Sequence, residues 1–200
     1  MSIATPDTLP EAAGNPPQIR RFTREEYDSL VASGFFHEDE KVELLDGVIV
    51  PMTPKGLPHS RTITRLNMLL TPRLVGRADV GVQVPFAASD ISEPEPDLYI
   101  VPPDDDESDH PRVAHCIIEV AVTSQRRDRA KVGIYARAGV PQLILIDVPR
   151  REARVFRDPR DGDYERIETI REGAAIVIDA FPDVGFDLAA VLPRLSGDAP

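Results

Sequence analysis

Two short apolar runs, at 114–122 and 141–148, bracket a polar stretch with helical periodicity, and this succession constrains the fold more than any other feature of the chain. The runs are rich in strand formers: Ile117, Ile118 and Val120 in the first, Leu143 to Ile146 in the second. Between them, Gln125 to Ala138 reads as an amphipathic helix. Strand, helix and strand in that order predict a parallel pair joined by a right-handed crossover, packed into a layered sheet-and-helix domain. Glu119 stands in the middle of Ile117-Ile118-Glu119-Val120-Ala121, where Val or Ile would suit the surroundings better.

The rest of the chain builds a sheet around this unit. Thr23-Arg24-Glu25-Glu26 is a capping box that opens a helix to about Ala32. Residues 41–52 read as a hairpin turning at Asp46-Gly47. A second helix is expected from His59 to Val75, with Ile63, Leu66, Leu69, Leu70 and Leu74 as its apolar stripe. Further strands are expected near 80–88 and 97–101. Short antiparallel strands at 153–156, 164–169 and 174–178, the first two joined at Asp161-Gly162, should extend the sheet or form a subunit contact. The fold expectation is therefore α/β (α+β): a mixed β-sheet core flanked by helices, with an N-terminal helix and β-hairpin. Residues 1–19, with Pro6, Pro10, Pro16 and Pro17, are expected to be a flexible tail, 20–192 a single domain and 193–200 a C-terminal tail. The run Pro102 to Asp109 combines turn formers with acids and reads as a solvated loop.

A second acid sits beside another apolar segment, in Glu93-Pro94-Glu95-Pro96-Asp97. If the two segments are neighbouring strands, Asp97 and Glu119 can face one cleft and hold a hard divalent cation through oxygen. Lys131 follows on the helix, and Asp128, Lys131 and Tyr135, spaced i, i+3, i+7, share one helix face. An ammonium beside a two-carboxylate metal site can orient an attacking water and offset phosphate charge. The alternative assignment puts Asp97 in a turn, Glu119 at a strand end and Lys131 in solvent, and spacing alone leaves both open.

At these residues the chain resembles the Uma-type restriction-endonuclease family, a branch of the PD-(D/E)XK nuclease superfamily. The likeness rests on Pro96-Asp97, on Ile118-Glu119-Val120, and on Asp128-x-x-Lys131-x-x-x-Tyr135-x-x-x-Gly139-Val140 followed by an apolar strand ending at Asp147. Upstream it takes in Val42-Glu43-Leu44-Leu45-Asp46-Gly47, Pro51-Met52-Thr53-Pro54 and His59, so it covers about residues 22 to 158 in a consistent order. The resemblance implies a restriction-endonuclease-like fold and a Mg²⁺ (or Mn²⁺) site at Asp97 and Glu119, with the Val120 carbonyl as a further ligand. It also implies a catalytic lysine moved from the strand to the helix, here Lys131. Ala121 occupies the position where the strand lysine usually stands. Glu43 and His59 are the further candidate catalytic residues, and Tyr135, Arg126 and Arg127 the candidate substrate contacts. Two departures stand out: Val122-Thr123-Ser124-Gln125 replaces a Ser-Pro-Ser-like segment, which removes a hydroxyl at 122, and Leu143-Ile144 replaces an aromatic pair.

Charge argues the other way. The chain carries a net charge of −11, whereas nucleic-acid binders commonly show a basic footprint. From Arg126 to Arg166, however, 11 Lys or Arg face 7 Asp or Glu, a local balance of +4 that could guide a phosphate backbone. No apolar run approaches the roughly 18 residues that a membrane helix needs, and no secretory signal is legible, so a cytoplasmic location without membrane contact is expected. The single Cys116 lies in an apolar strand as a small buried hydrophobe, and four scattered histidines show no zinc-ligand spacing. Three function classes follow: a Mg²⁺-dependent endonuclease acting on nucleic acid, with DNA the favoured substrate; a nuclease-derived binding or regulatory module without chemistry; and an interaction protein whose carboxylates are structural. Cleavage of both strands would favour a homodimer.

Overall fold

The computed structural model describes residues 19–37, 39–103, 108–122 and 125–194, without the side chains of 125–129. The expected tails, apart from residues 19, 193 and 194, and the acids at 104–107 lie outside the described residues, as do the side chains of Arg126, Arg127 and Asp128.

Fourteen elements follow one another among the described residues: α1 (Arg24–Ala32), β1 (Val42–Leu45), β2 (Val48–Pro51), α2 (Leu57–Leu74), β3 (Asp79–Val82), β4 (Leu98–Val101), β5 (Cys116–Ala121), α3 (Gln125–Arg137), β6 (Gln142–Asp147), β7 (Glu152–Arg160), β8 (Asp163–Arg171), β9 (Ala175–Ile178), β10 (Phe181–Asp187) and α4 (Leu188–Val191). The main sheet has six strands in the order β3-β4-β5-β6-β7-β8. Only β5 and β6 run parallel, and α3 is the crossover between them. The predicted strand-helix-strand unit is thus the centre of a mixed sheet.

Side-chain alternation along the central strands feeds two cores. Leu98, Ile100, Ile118, Val120, Ile144 and Ile146 point to the face covered by α2, whose stripe of Ile63, Leu66, Leu70 and Leu74 packs there with β9, β10 and α4. Ile117, Leu143 and Leu145 point to the opposite face, where Tyr135 and Ala136 of α3 meet Phe86, Phe156 and Tyr164. Cys116 is fully buried in β5, and burial pushes its thiol pKa far up, as expected of an inert core residue.

At the N-terminus, Thr23 and Glu26 form the predicted capping box of α1. The β1–β2 hairpin turns where predicted: Asp46 and Gly47 both adopt positive φ, at 48° and 76°. A Cβ on Gly47 would fall 2.4 Å from the Arg21 Cβ, so that position needs glycine twice over. The hairpin then leans on the segment before β4 through paired backbone bonds between Leu44 and Glu93, which brings Glu43 towards Asp97.

Three expectations are corrected. The strand expected at 80–88 ends at Val82, since Gln83 takes a left-handed φ of 54° and Pro85 has no N–H to offer. Helix α2 starts two residues earlier than His59, with Pro58 in its first turn, where a missing N–H costs nothing. The third apolar stretch of the C-terminal part does not extend the main sheet: β7 and β8 do, but β9 pairs with β10 in a separate two-stranded sheet.

Candidate active site

In the antiparallel β4–β5 ladder Leu98 lies opposite Ile118, so the residue before β4, Asp97, falls beside Glu119. By alternation both acids belong to the face of the sheet on which α3 packs. They border one cleft, together with Glu43, Lys55, His59 and Lys131. Burying so many ionisable groups at one place is costly unless each is paired, and here each has partners.

Asp97 is only 4% exposed. Its Oδ2 accepts the Val120 N–H at 2.8 Å and lies 3.0 Å from His59 Nε2, while Oδ1 lies 3.1 Å from Lys55 Nζ. Burial works to raise its pKa, but the His59 hydrogen bond and charge, then Lys55 and the Val120 N–H, outweigh burial and hold it below its ordinary value. Asp97 is therefore ready to act as an anion.

Glu119 meets a different environment. Its Oε1 accepts from the Tyr135 hydroxyl at 2.7 Å and from Lys131 Nζ at 3.2 Å. Burial pushes its pKa up to about 7; Lys131 opposes the shift, and the Asp97 charge adds to it. The two acids are thus driven apart in pKa, a pattern concentrated at functional sites.

Lys131, reaching in from α3, donates to Glu43 Oε2 at 2.9 Å, to the Glu95 carbonyl at 3.1 Å and to Glu119 Oε1. Those three acceptors match the three donors of an ammonium. Burial would lower its pKa, yet Glu119 and Glu43 overcome that and raise it, so the lysine stays charged. Glu43 is 2% exposed and also accepts the Glu95 N–H at 3.1 Å. His59, on the first turn of α2, holds Asp97 through Nε2, and its Nδ1 is buried without a partner.

The fold thus brings together Asp97, Glu119, Lys131, Glu43 and His59, and Val120 borders the same cleft. Tyr135, expected as a substrate contact, is fully buried with its hydroxyl on Glu119, so it orients Glu119 from inside the protein and does not line the cleft. The two expected arginine contacts, Arg126 and Arg127, have side chains outside the described residues. The sequence reading missed Lys55 and the Glu95 backbone. Lys55 lies in the loop between β2 and α2, where no periodicity marks a side chain as inward, and Glu95 lies between two prolines in the same irregular path as Glu93.

Among the described residues no three or more His, Cys, Asp and Glu side chains converge as a metal cage. Here the acids converge on ammonium groups instead. The donor set nevertheless fits a hard cation: Asp97 and Glu119 are paired carboxylates, and Glu43, Glu95, Asp97 and Glu119 together outnumber Lys55 and Lys131 at one cleft. A small divalent ion that keeps several of its waters needs only one or two carboxylates.

A family model described as "Uma2: Putative restriction endonuclease" matches residues 24–190 of this chain. Among solved structures, the chain is similar to a protein described as a putative nuclease belonging to DUF820 from Anabaena variabilis, with a TM-score of 0.65 at 18% identity over 85% of this chain and 97% of that one. At that identity the likeness establishes a shared fold. No curated protein matches.

Proposed function

The chain belongs to the Uma2 family, and on that premise we propose that its cleft is the active site of a Mg²⁺- or Mn²⁺-dependent endonuclease that hydrolyses phosphodiester bonds, with DNA as its substrate. The observation that carries this reading is the convergence of Asp97, just before β4, Glu119 of β5 and Lys131 of α3 on one buried polar cleft. In this reading Asp97, Glu119 and the Val120 carbonyl hold the cation, which when bound supplies Lewis-acid polarisation of the phosphate and of the attacking water.

The chain's own residues do the rest. His59 fixes Asp97 through Nε2 and keeps its carboxylate ionised. Tyr135 fixes Glu119. Glu43 and the Glu95 carbonyl hold Lys131, so that a permanent positive charge stands beside Glu119 where negative charge grows on the phosphoryl group. The ammonium is held before substrate arrives, so little reorganisation is needed.

The test is single-turnover cleavage of labelled single- and double-stranded DNA and RNA with Mg²⁺ or Mn²⁺ at low salt, run beside calorimetric cation binding. Asp97→Ala and Glu119→Ala should abolish both cleavage and cation binding. Lys131→Ala should keep the cation but lose turnover by about 10² or more. Activity untouched by Lys131→Ala would mean the lysine is wrongly assigned. A second reading, a nuclease-derived binding or regulatory module, draws support from the net charge of −11. Protein that binds both cation and nucleic acid yet cuts nothing would establish it.

A further inference from the structure

The cleft holds two lysines, and their settings differ. Lys131 is 7% exposed and its ammonium is saturated by three protein oxygens, so it has no donor to spare for a ligand. Lys55 is bound on one side only: Nζ lies 3.1 Å from Asp97 Oδ1 and 4.0 Å from Glu95 Oε1, and the side chain is 25% exposed. It projects from the loop that ends at Gly56, the N-cap of α2, where no side chain caps the helix. Four flexible methylenes let an ammonium in such a loop move several ångströms without backbone change.

We propose, resting on the reading of Asp97 as a cation ligand, that Lys55 competes with the divalent cation for Asp97 and, when displaced, binds a phosphate oxygen of the nucleic-acid strand. Two cations do not share one carboxylate comfortably, because like charges a few ångströms apart repel one another even where the surroundings screen them. Asp97 Oδ2 is already taken by the Val120 N–H and His59, so Oδ1 is the oxygen that Lys55 and an incoming cation would both use. An ammonium pushed off Oδ1 stays tethered at the rim of the cleft. The only strongly anionic partner a substrate brings there is its phosphate. In an acidic chain, a lysine released where a phosphate docks supplies positive charge without adding a permanent basic patch.

The competition and the phosphate contact are separable by experiment. Lys55→Met removes the charge and keeps the length, and Lys55→Arg keeps the charge. Calorimetric or spin-resonance titration with Mn²⁺ and no nucleic acid should show Lys55→Met binding the ion about three- to tenfold more tightly than the parent. Anisotropy with a short labelled DNA in Ca²⁺ should show the same variant binding the strand several-fold more weakly, with Lys55→Arg close to the parent. Unchanged or weaker Mn²⁺ binding in Lys55→Met overturns the competition, and unchanged DNA affinity overturns the phosphate contact, each leaving the nuclease reading intact. A parent protein that binds neither Mn²⁺ nor DNA removes that reading and this proposal with it. Melting curves of both variants guard against misfolding as the cause; in Lys55→Met the Val120 N–H and His59 still hold Asp97.

Discussion

Lys131 shows how closely charge at this cleft is balanced. It bridges Glu43 and Glu119, and deleting it leaves two buried carboxylates facing each other, a change that costs about 3–5 kcal/mol where a buried pair loses one partner. Lys131→Ala should therefore melt well below the parent in chelator, and added Mn²⁺ should recover much of the loss if a cation can take up the same carboxylates. Recovery in the parent but none in the variant would place the cation elsewhere. Glu93 offers a separate test by pH. Burial first, then the charge of Asp28, pushes its pKa up to about 7 from 4.5, with Arg24 opposing. Because the folded-state value is the higher, its contribution is fully present below about pH 4.5 and is lost as pH rises through 7. Glu93→Gln, which stays neutral, should match the parent in melting temperature at pH 4 and exceed it at pH 8. Equal curves at both pH values would show that Glu93 ionises freely. Which residues were legible follows from the same physics: Asp97 and Glu119 stood out because charge is improbable in or beside an apolar segment, and Lys131 because it shares a helix face with Tyr135 in a motif that resembles the family, whereas Lys55 sits in a loop where charge is the norm and nothing in the sequence turns it inward.

Periodicity decided which elements could be read in advance. The crossover β5-α3-β6 and the stripe of α2 were legible because each repeats its apolar residues with a single period over a full element. Strand β10 was not, since Pro182 and Gly185 break Phe181–Asp187 and read as turn formers. The strand survives because it is one of only two in its sheet, and its pairing with β9 shifts register between Phe181 and Gly185 to absorb the irregularity. Its apolar residues, Val184 and Phe186, are buried in the α2-side core. Gln142, fully buried at the start of β6, clasps this small sheet to the large one: Nε2 donates to the Val177 carbonyl at 2.9 Å and Oε1 accepts the Asp179 N–H at 3.0 Å. Gln142→Leu fills similar space and satisfies neither group, so it should destabilise by about 1–3 kcal/mol. Hydrogen exchange should then quicken at Asp179, whose amide loses its acceptor. A variant as stable as the parent would mean that water replaces the side chain at both groups.

The whole molecule must reconcile an acidic chain with an anionic substrate. Among the described side chains of the basic tract, most arginines are already paired: Arg137 with Asp46, Arg150 with Asp147, Arg157 with Asp179 and Glu168, Arg160 with Glu165 and Arg166 with Asp158. No helix among the described residues is long and apolar enough to cross a membrane. Most of the apolar residues after 152 are used for folding, with Val155, Ile176, Ile178, Val184 and Phe186 in the core. Ile167 is an exception, 54% exposed on β8, an edge strand of the main sheet. Around it on β8, Glu165, Arg166, Glu168 and Arg171 alternate in sign, so two antiparallel copies of the edge could set unlike charges opposite one another as well as bury Ile167. A two-fold pair would present two clefts, the arrangement commonly used to cut both strands of a duplex. Light scattering at micromolar concentration should therefore give the mass of a dimer, and Ile167→Asp should shift it to that of a monomer while leaving Mn²⁺ binding at the distant cleft unchanged. A parent protein that is monomeric under those conditions would restrict the proposed chemistry to one strand at a time, and a dimer indifferent to Ile167→Asp would move the contact away from β8.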